Sequence, residues 1–172
     1  GMLAGGCARR GGPGVLPSVV CTTSMIGDAV RGVAGERVAI TTLMGAGVDP
    51  HLYQPTRPDT AAVMGADVVF YNGLLLEGRM QDLFVRAAGS GRRVAPVCGA
   101  MSEADLLHPD GAEGHPDPHV WMDPTLWAGA VEAVRQTLAG LSERGADVLA
   151  RGSQFGSDTL VRHPVGIYPR RG

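Results

Sequence analysis

Two stretches of this chain carry one frame: Asp49-Pro50-His51-Leu52-Tyr53 and Asp117-Pro118-His119-Val120-Trp121. The chain has five histidines, and two of them sit in this frame, while the residues on either side of the two copies differ. That pattern is two separate loops with one task rather than a tandem repeat. Proline fixes its own φ and pushes the preceding Asp out of helical geometry, so each His leaves a stiff, extended corner. A nearby Asp can accept the proton of one ring nitrogen and leave the other as a ligand, and the aromatic two places on can wall the site from water. Two neutral imidazoles suit a borderline divalent ion such as zinc, manganese or iron. One ion bridging His51 and His119 would put the two nitrogens about 3–4 Å apart. The bland alternative is a pair of surface turns with incidental histidines, which two copies at equivalent strand ends disfavour.

Other polar residues weigh less. The loop "HPDGAEGHPDPH" adds His108, Asp110, Glu113, His115 and Asp117 to the neighbourhood. Asp123, before Pro124, suits a helix N-cap better than a ligand. Glu77 is expected to open a helix and interact with its dipole. His163 is given no role.

The elements that must position the two loops follow from the apolar pattern. "VLPSVVCTTS" (15–24) reads as a buried strand, and residues 25–35 have helical apolar spacing closed by Gly35. "RVAITTLM" (37–44) is the next strand, and a Gly-rich loop carries the first Asp-Pro-His. A helix follows over 57–65, with Thr56 and Asp59 spaced as a capping box. "ADVVFYNG" (66–73) is a third strand, residues 76–89 an amphipathic helix, and "RRVAPVC" (92–98) a fourth strand. A polar loop with the second Asp-Pro-His leads into a helix from Asp123-Pro124. This alternation predicts an α/β fold, a single lobe with a four-stranded parallel sheet flanked by helices. Ligands of such sheets bind outside the carboxyl ends of the strands. Both histidines follow strands and so belong on that edge.

Composition narrows the function classes. The 172 residues are 44% hydrophobic and 19% charged, which fits a folded domain with a proper core. A formal charge of −2 gives no footprint for nucleic acid, and no run approaches a membrane span. All 15 basic residues are Arg, in keeping with GC-rich codon usage. At the N-terminus (1–14), "LAGGC" before a Gly/Arg/Pro-rich spacer looks like the end of a bacterial lipoprotein signal, with Leu3 one residue further from Cys7 than the usual box. Either Cys7 is acylated and tethers the domain to a membrane, or this is an irregular end with an ordinary cysteine. Cys21 and Cys98 end strands that are not neighbours, so two buried free thiols are expected rather than a disulfide. Residues 15–150 form the expected lobe. From Arg151 to Gly172 the chain has no sustained period and reads as an irregular tail.

"GVDPHLYQPTRPD", "ADVVFYNGLLLEGRM" and "PDPHVWMDP" together resemble the zinc/manganese-binding solute receptors of bacterial ABC importers, the TroA/ZnuA-like family, over residues 16–150. The resemblance implies half of a two-lobed solute-binding protein that captures a divalent transition metal (Zn or Mn, with Fe as a further option) in the cleft between the lobes. The location it implies is periplasmic or extracellular. His51 and His119 carry over as the ligands of the N-terminal lobe. The His- and acid-rich loop 108–117 carries over as an accessory metal-collecting loop, its alternative being a solvated face. The C-terminal lobe of the family supplies a His or Glu and an Asp, which nothing here matches. A truncated or frame-shifted gene is therefore expected, with weak metal binding by this chain alone. The implied partner of the full-length protein is an ABC importer permease, and the protein itself is expected to be a monomer. Two other functions stay open. A metal-dependent hydrolase would need a third ligand and a base, from Asp110, Glu113 or Asp117, yet His-Glu-x-x-His, Gly-x-Ser-x-Gly and Walker patterns are absent. An adhesin-like surface module would hold a structural metal.

Overall fold

In a computed structural model, which describes residues 15–111 and 114–142, the apolar runs pair side by side. Strands β1 (Ser18–Thr23), β2 (Ala39–Met44), β3 (Val68–Tyr71) and β4 (Arg93–Pro96) form one sheet in the order β2-β1-β3-β4, and every pairing is parallel. The connections are helices α1 (Ser24–Ala34), α2 (Arg57–Gly65) and α3 (Gln81–Gly89), and α4 (Pro124–Ser142) follows the last strand. The fold is α/β, with a four-stranded parallel sheet flanked by helices, as the alternation predicts.

Strands covered on both faces read as continuous apolar runs. Val19 and Cys21 of β1, with Val68 and Phe70 of β3, face α1 and α4, where Ile26, Val30, Val134 and Leu138 bury. Val20 and Val69 point the other way, onto Val63 of the α2 segment and Leu83, Phe84 and Ala87 of α3. Each such aliphatic side chain contributes about 1.5–3 kcal/mol by leaving water. Helix α1 approaches β2 so closely that a Cβ on Gly27 would stand 2.7 Å from Thr42 Oγ1. Among the described residues no helix is long and apolar enough to cross a membrane.

Two expectations need correction. The first strand starts at Ser18 rather than Val15: its pairing with β2 begins at Ser18, and Val15 and Leu16 before it are 70% and 48% exposed. The helix expected over 76–89 starts at Gln81, after a single 3-10 turn at Gly78–Met80. The segment before it winds in the left-handed sense: Gly73, Leu74 and Leu75 have φ of 87°, 51° and 62°. The capping box on α2 is present, with Thr56 and Asp59 bonding each other's backbone. Asp123 does cap α4, accepting from Thr125 N at 2.7 Å. Cys21 and Cys98 are free and buried. Cys7, Glu113, His163 and the tail Arg151–Gly172 lie outside the described residues.

Candidate metal centre

The two histidine loops leave the outer strands, β2 and β4. Three strand spacings separate their origins, about 14 Å. The loops lean inward over the carboxyl edge until His51 Nε2 and His119 Nε2 are 3.3 Å apart. The ring centroids lie 5.3 Å apart, with planes inclined at 56°. Two nitrogens bound to one tetrahedral ion at zinc distances would stand about 3.3 Å apart. The spacing between the two ring nitrogens is therefore that of a metal bite.

The same local device builds both corners. Asp49 Oδ1 accepts the backbone N–H of His51 at 2.9 Å, and Asp117 Oδ1 accepts that of His119 at 2.9 Å. These are Asx turns spanning a proline that has no N–H of its own to compete. The copies then diverge. Asp117 Oδ1 also meets His119 Nδ1, which leaves Nε2 as the lone-pair nitrogen facing His51. The backbone N–H of His119, and then its ring, hold the Asp117 carboxyl below the usual carboxylate range. Trp121 sets its ring edge-on against His119 with centroids 5.1 Å apart. Tyr53 does otherwise: its hydroxyl donates to Asp59 Oδ2 at 2.6 Å, tying the His51 loop to the capping box of α2.

The remaining sequence candidates spread out. His51, His119 and His115 line one open cavity of about 360 Å³, with Leu74, Leu75 and the neighbouring prolines. His108 turns aside to Glu103, at 3.2 Å, and Asp110 is exposed. Among the described residues no group of three His, Cys, Asp or Glu is placed to hold an ion. Burial pushes the thiols of Cys21 and Cys98 up to about 12, so both stand as buried, neutral thiols.

Glu77 is the clearest departure from expectation. It stands at the N-cap of the 3-10 turn Gly78–Met80 that leads into α3, but its side chain caps nothing there. It is 1% exposed, and its Oε1 accepts from the Thr22 hydroxyl at 2.6 Å and from Asn72 N at 2.8 Å. Burial raises its carboxyl above the ordinary value, against the pull of those bonds. Asn72, also missed, is 1% exposed and donates from Nδ2 to the Pro118 carbonyl at 3.0 Å. An Asn ending an apolar strand and a Glu inside "LLLEGRM" were the available signals, because a polar residue in an apolar run needs a buried partner.

Comparison with known proteins gives a consistent picture. The family described as zinc-uptake complex component A, periplasmic (ZnuA), matches residues 19–155. The manganese-binding lipoprotein MntA of Bacillus subtilis is 39% identical over 136 residues, 79% of this chain and 44% of that protein. The zinc-binding protein TroA of Treponema pallidum is 43% identical over 125 residues, 73% of this chain and 40% of that protein. A solved structure of the Treponema pallidum protein superposes with a TM-score of 0.73 at 39% identity, covering 81% of this chain and 49% of that one. The chain spans less than half the length of these relatives.

Proposed function

We propose, starting from the fact that the chain belongs to the ZnuA family of periplasmic zinc-uptake components, that it captures a divalent transition metal, zinc or manganese, for an ABC importer. The family is one of non-catalytic binding proteins, so the ion is cargo and no turnover is expected. The observation that carries this reading is the 3.3 Å separation of His51 Nε2 and His119 Nε2 at the carboxyl edge of the sheet. Asp117 supports it by directing the lone pair of His119 toward His51. One similar relative is named for manganese and another for zinc, which supports the pair of metals rather than either alone.

In this reading His51 and His119 are the ligands, and His115 on the cavity wall, with the rest of the 108–117 loop, collects ions at the mouth. The protein works outside the cytoplasmic membrane and delivers its ion to a permease. Cys7 is the proposed point of lipid attachment. Calorimetric titration with zinc and with manganese tests the assignment. Heat of binding that disappears in His51→Ala and in His119→Ala is the expected result. Unchanged binding in both variants would remove the site.

A further inference from the structure

We propose that Asn72 is a positioning residue for His119, holding the peptide plane from which the ligand projects; its relevance to metal rests on the function proposed above. The peptide between Pro118 and His119 is held at both ends. Its carbonyl accepts from Asn72 Nδ2 at 3.0 Å, and its N–H donates to Asp117 Oδ1 at 2.9 Å. A planar peptide bond fixed at both its donor and its acceptor cannot rotate as a unit. The direction in which His119 leaves the backbone is then set before any ion arrives.

Asn72 is itself pinned. Its second Nδ2 bond goes to Gly73 O at 3.1 Å, its Oδ1 accepts from Cys98 Sγ at 3.6 Å, and its backbone carbonyl accepts from Cys98 N at 3.1 Å. Its own N–H goes to buried Glu77. A side-chain amide this buried loses stability with any polar group unpaired, so full engagement leaves it one orientation. The chain then turns left-handed through Leu74 and Leu75, a conformation that L-residues rarely adopt. That turn brings Glu77 back beneath Asn72, and Leu76 N closes it onto Gly73 O at 3.1 Å. Residues 72–77 thus link the centre of the sheet to a loop that springs from its edge.

The test reads the imidazole nitrogens of the ¹⁵N-labelled, metal-free chain at about pH 8, above the ordinary histidine range. In the wild type His119 should show one Nδ1–H tautomer. In Asn72→Ala its two nitrogen shifts should move toward the averaged values of a free imidazole, while the backbone amide shifts of α2 and α3, which do not touch His119, stay in place. Zinc affinity should fall roughly 10–100-fold, as for other groups that orient a metal ligand. A general loss of structure would move those helix amides as well. Unmoved His119 shifts, or zinc affinity within twofold of wild type, in a cooperatively melting Asn72→Ala would overturn the proposal. If that variant does not fold, proton exchange of the Asn72 side-chain amide in the wild type decides: slow exchange supports the pinned amide, and exchange at the rate of a free amide overturns it. A wild-type chain that binds no zinc would sink the function proposed above, while the His119 shifts would still judge Asn72.

Discussion

At the scale of single residues, Asp117 and Asn72 stand behind the proposed ligand His119. Asp117 fixes both the backbone and the ring of His119, so Asp117→Ala should weaken zinc binding roughly 10–100-fold, measured by competition with a chromogenic chelator. Its side chain is partly exposed, so the melting temperature should move little. Glu77 makes a different prediction. Its carboxyl is raised above the ordinary 4.5 by burial, so the native state holds that proton more tightly than the unfolded chain does. The stabilisation is complete below the ordinary value and is lost as pH rises through the raised native value. Glu77→Gln cannot ionise. Its melting temperature relative to wild type should therefore climb as pH rises above the ordinary glutamate value, and parallel curves would show that Glu77 is not the source. The sequence made His51 and His119 legible because one rare frame occurs twice. It left Asn72 and Glu77 obscure, because their meaning lies in partners 46 and 55 residues away, Pro118 and Thr22.

At the scale of elements, local signals were sufficient wherever they were redundant. The Thr56–Asp59 box and the Asp123-Pro124 start each have one physical solution, and the fold adopts it. The helix expected from Leu76 failed for an equally physical reason. Apolar spacing there suited a helix, but Glu77 folds back so that its Oε1 accepts from Thr22 of β1 and from Asn72 just after β3. Asp59 serves two elements together, capping α2 and holding Tyr53 of the His51 loop. Asp59→Ala should therefore cost more than an ordinary cap, about 1–2 kcal/mol in urea unfolding. It should also weaken zinc binding, whereas Thr56→Ala should destabilise by about 1 kcal/mol and spare the affinity. Equal effects of the two variants on affinity would break the proposed tie between Tyr53 and His51.

At the scale of the whole molecule, two imidazoles make an incomplete shell. A finished protein zinc site contributes about 10–16 kcal/mol, with charge and coordination shared among its ligands. With two neutral donors and no third group placed among the described residues, the 172-residue chain should bind zinc with Kd on the order of 1 μM or weaker. A nanomolar one-to-one isotherm would show that the chain completes its own shell. The strand order carries one more consequence. His51 and His119 stand 68 residues apart and follow opposite margins of the sheet, with β1 and β3 between them. An ion held by both histidines in the native fold, and by neither in the unfolded chain, stabilises the native state by its binding free energy. Capture is thereby linked to fold stability. At zinc one hundred times Kd the native state should gain about 2.7 kcal/mol. Removing the ion would then release the two margins of the sheet from one another, and amide exchange should quicken in β2 and β4 before it does in β1 and β3.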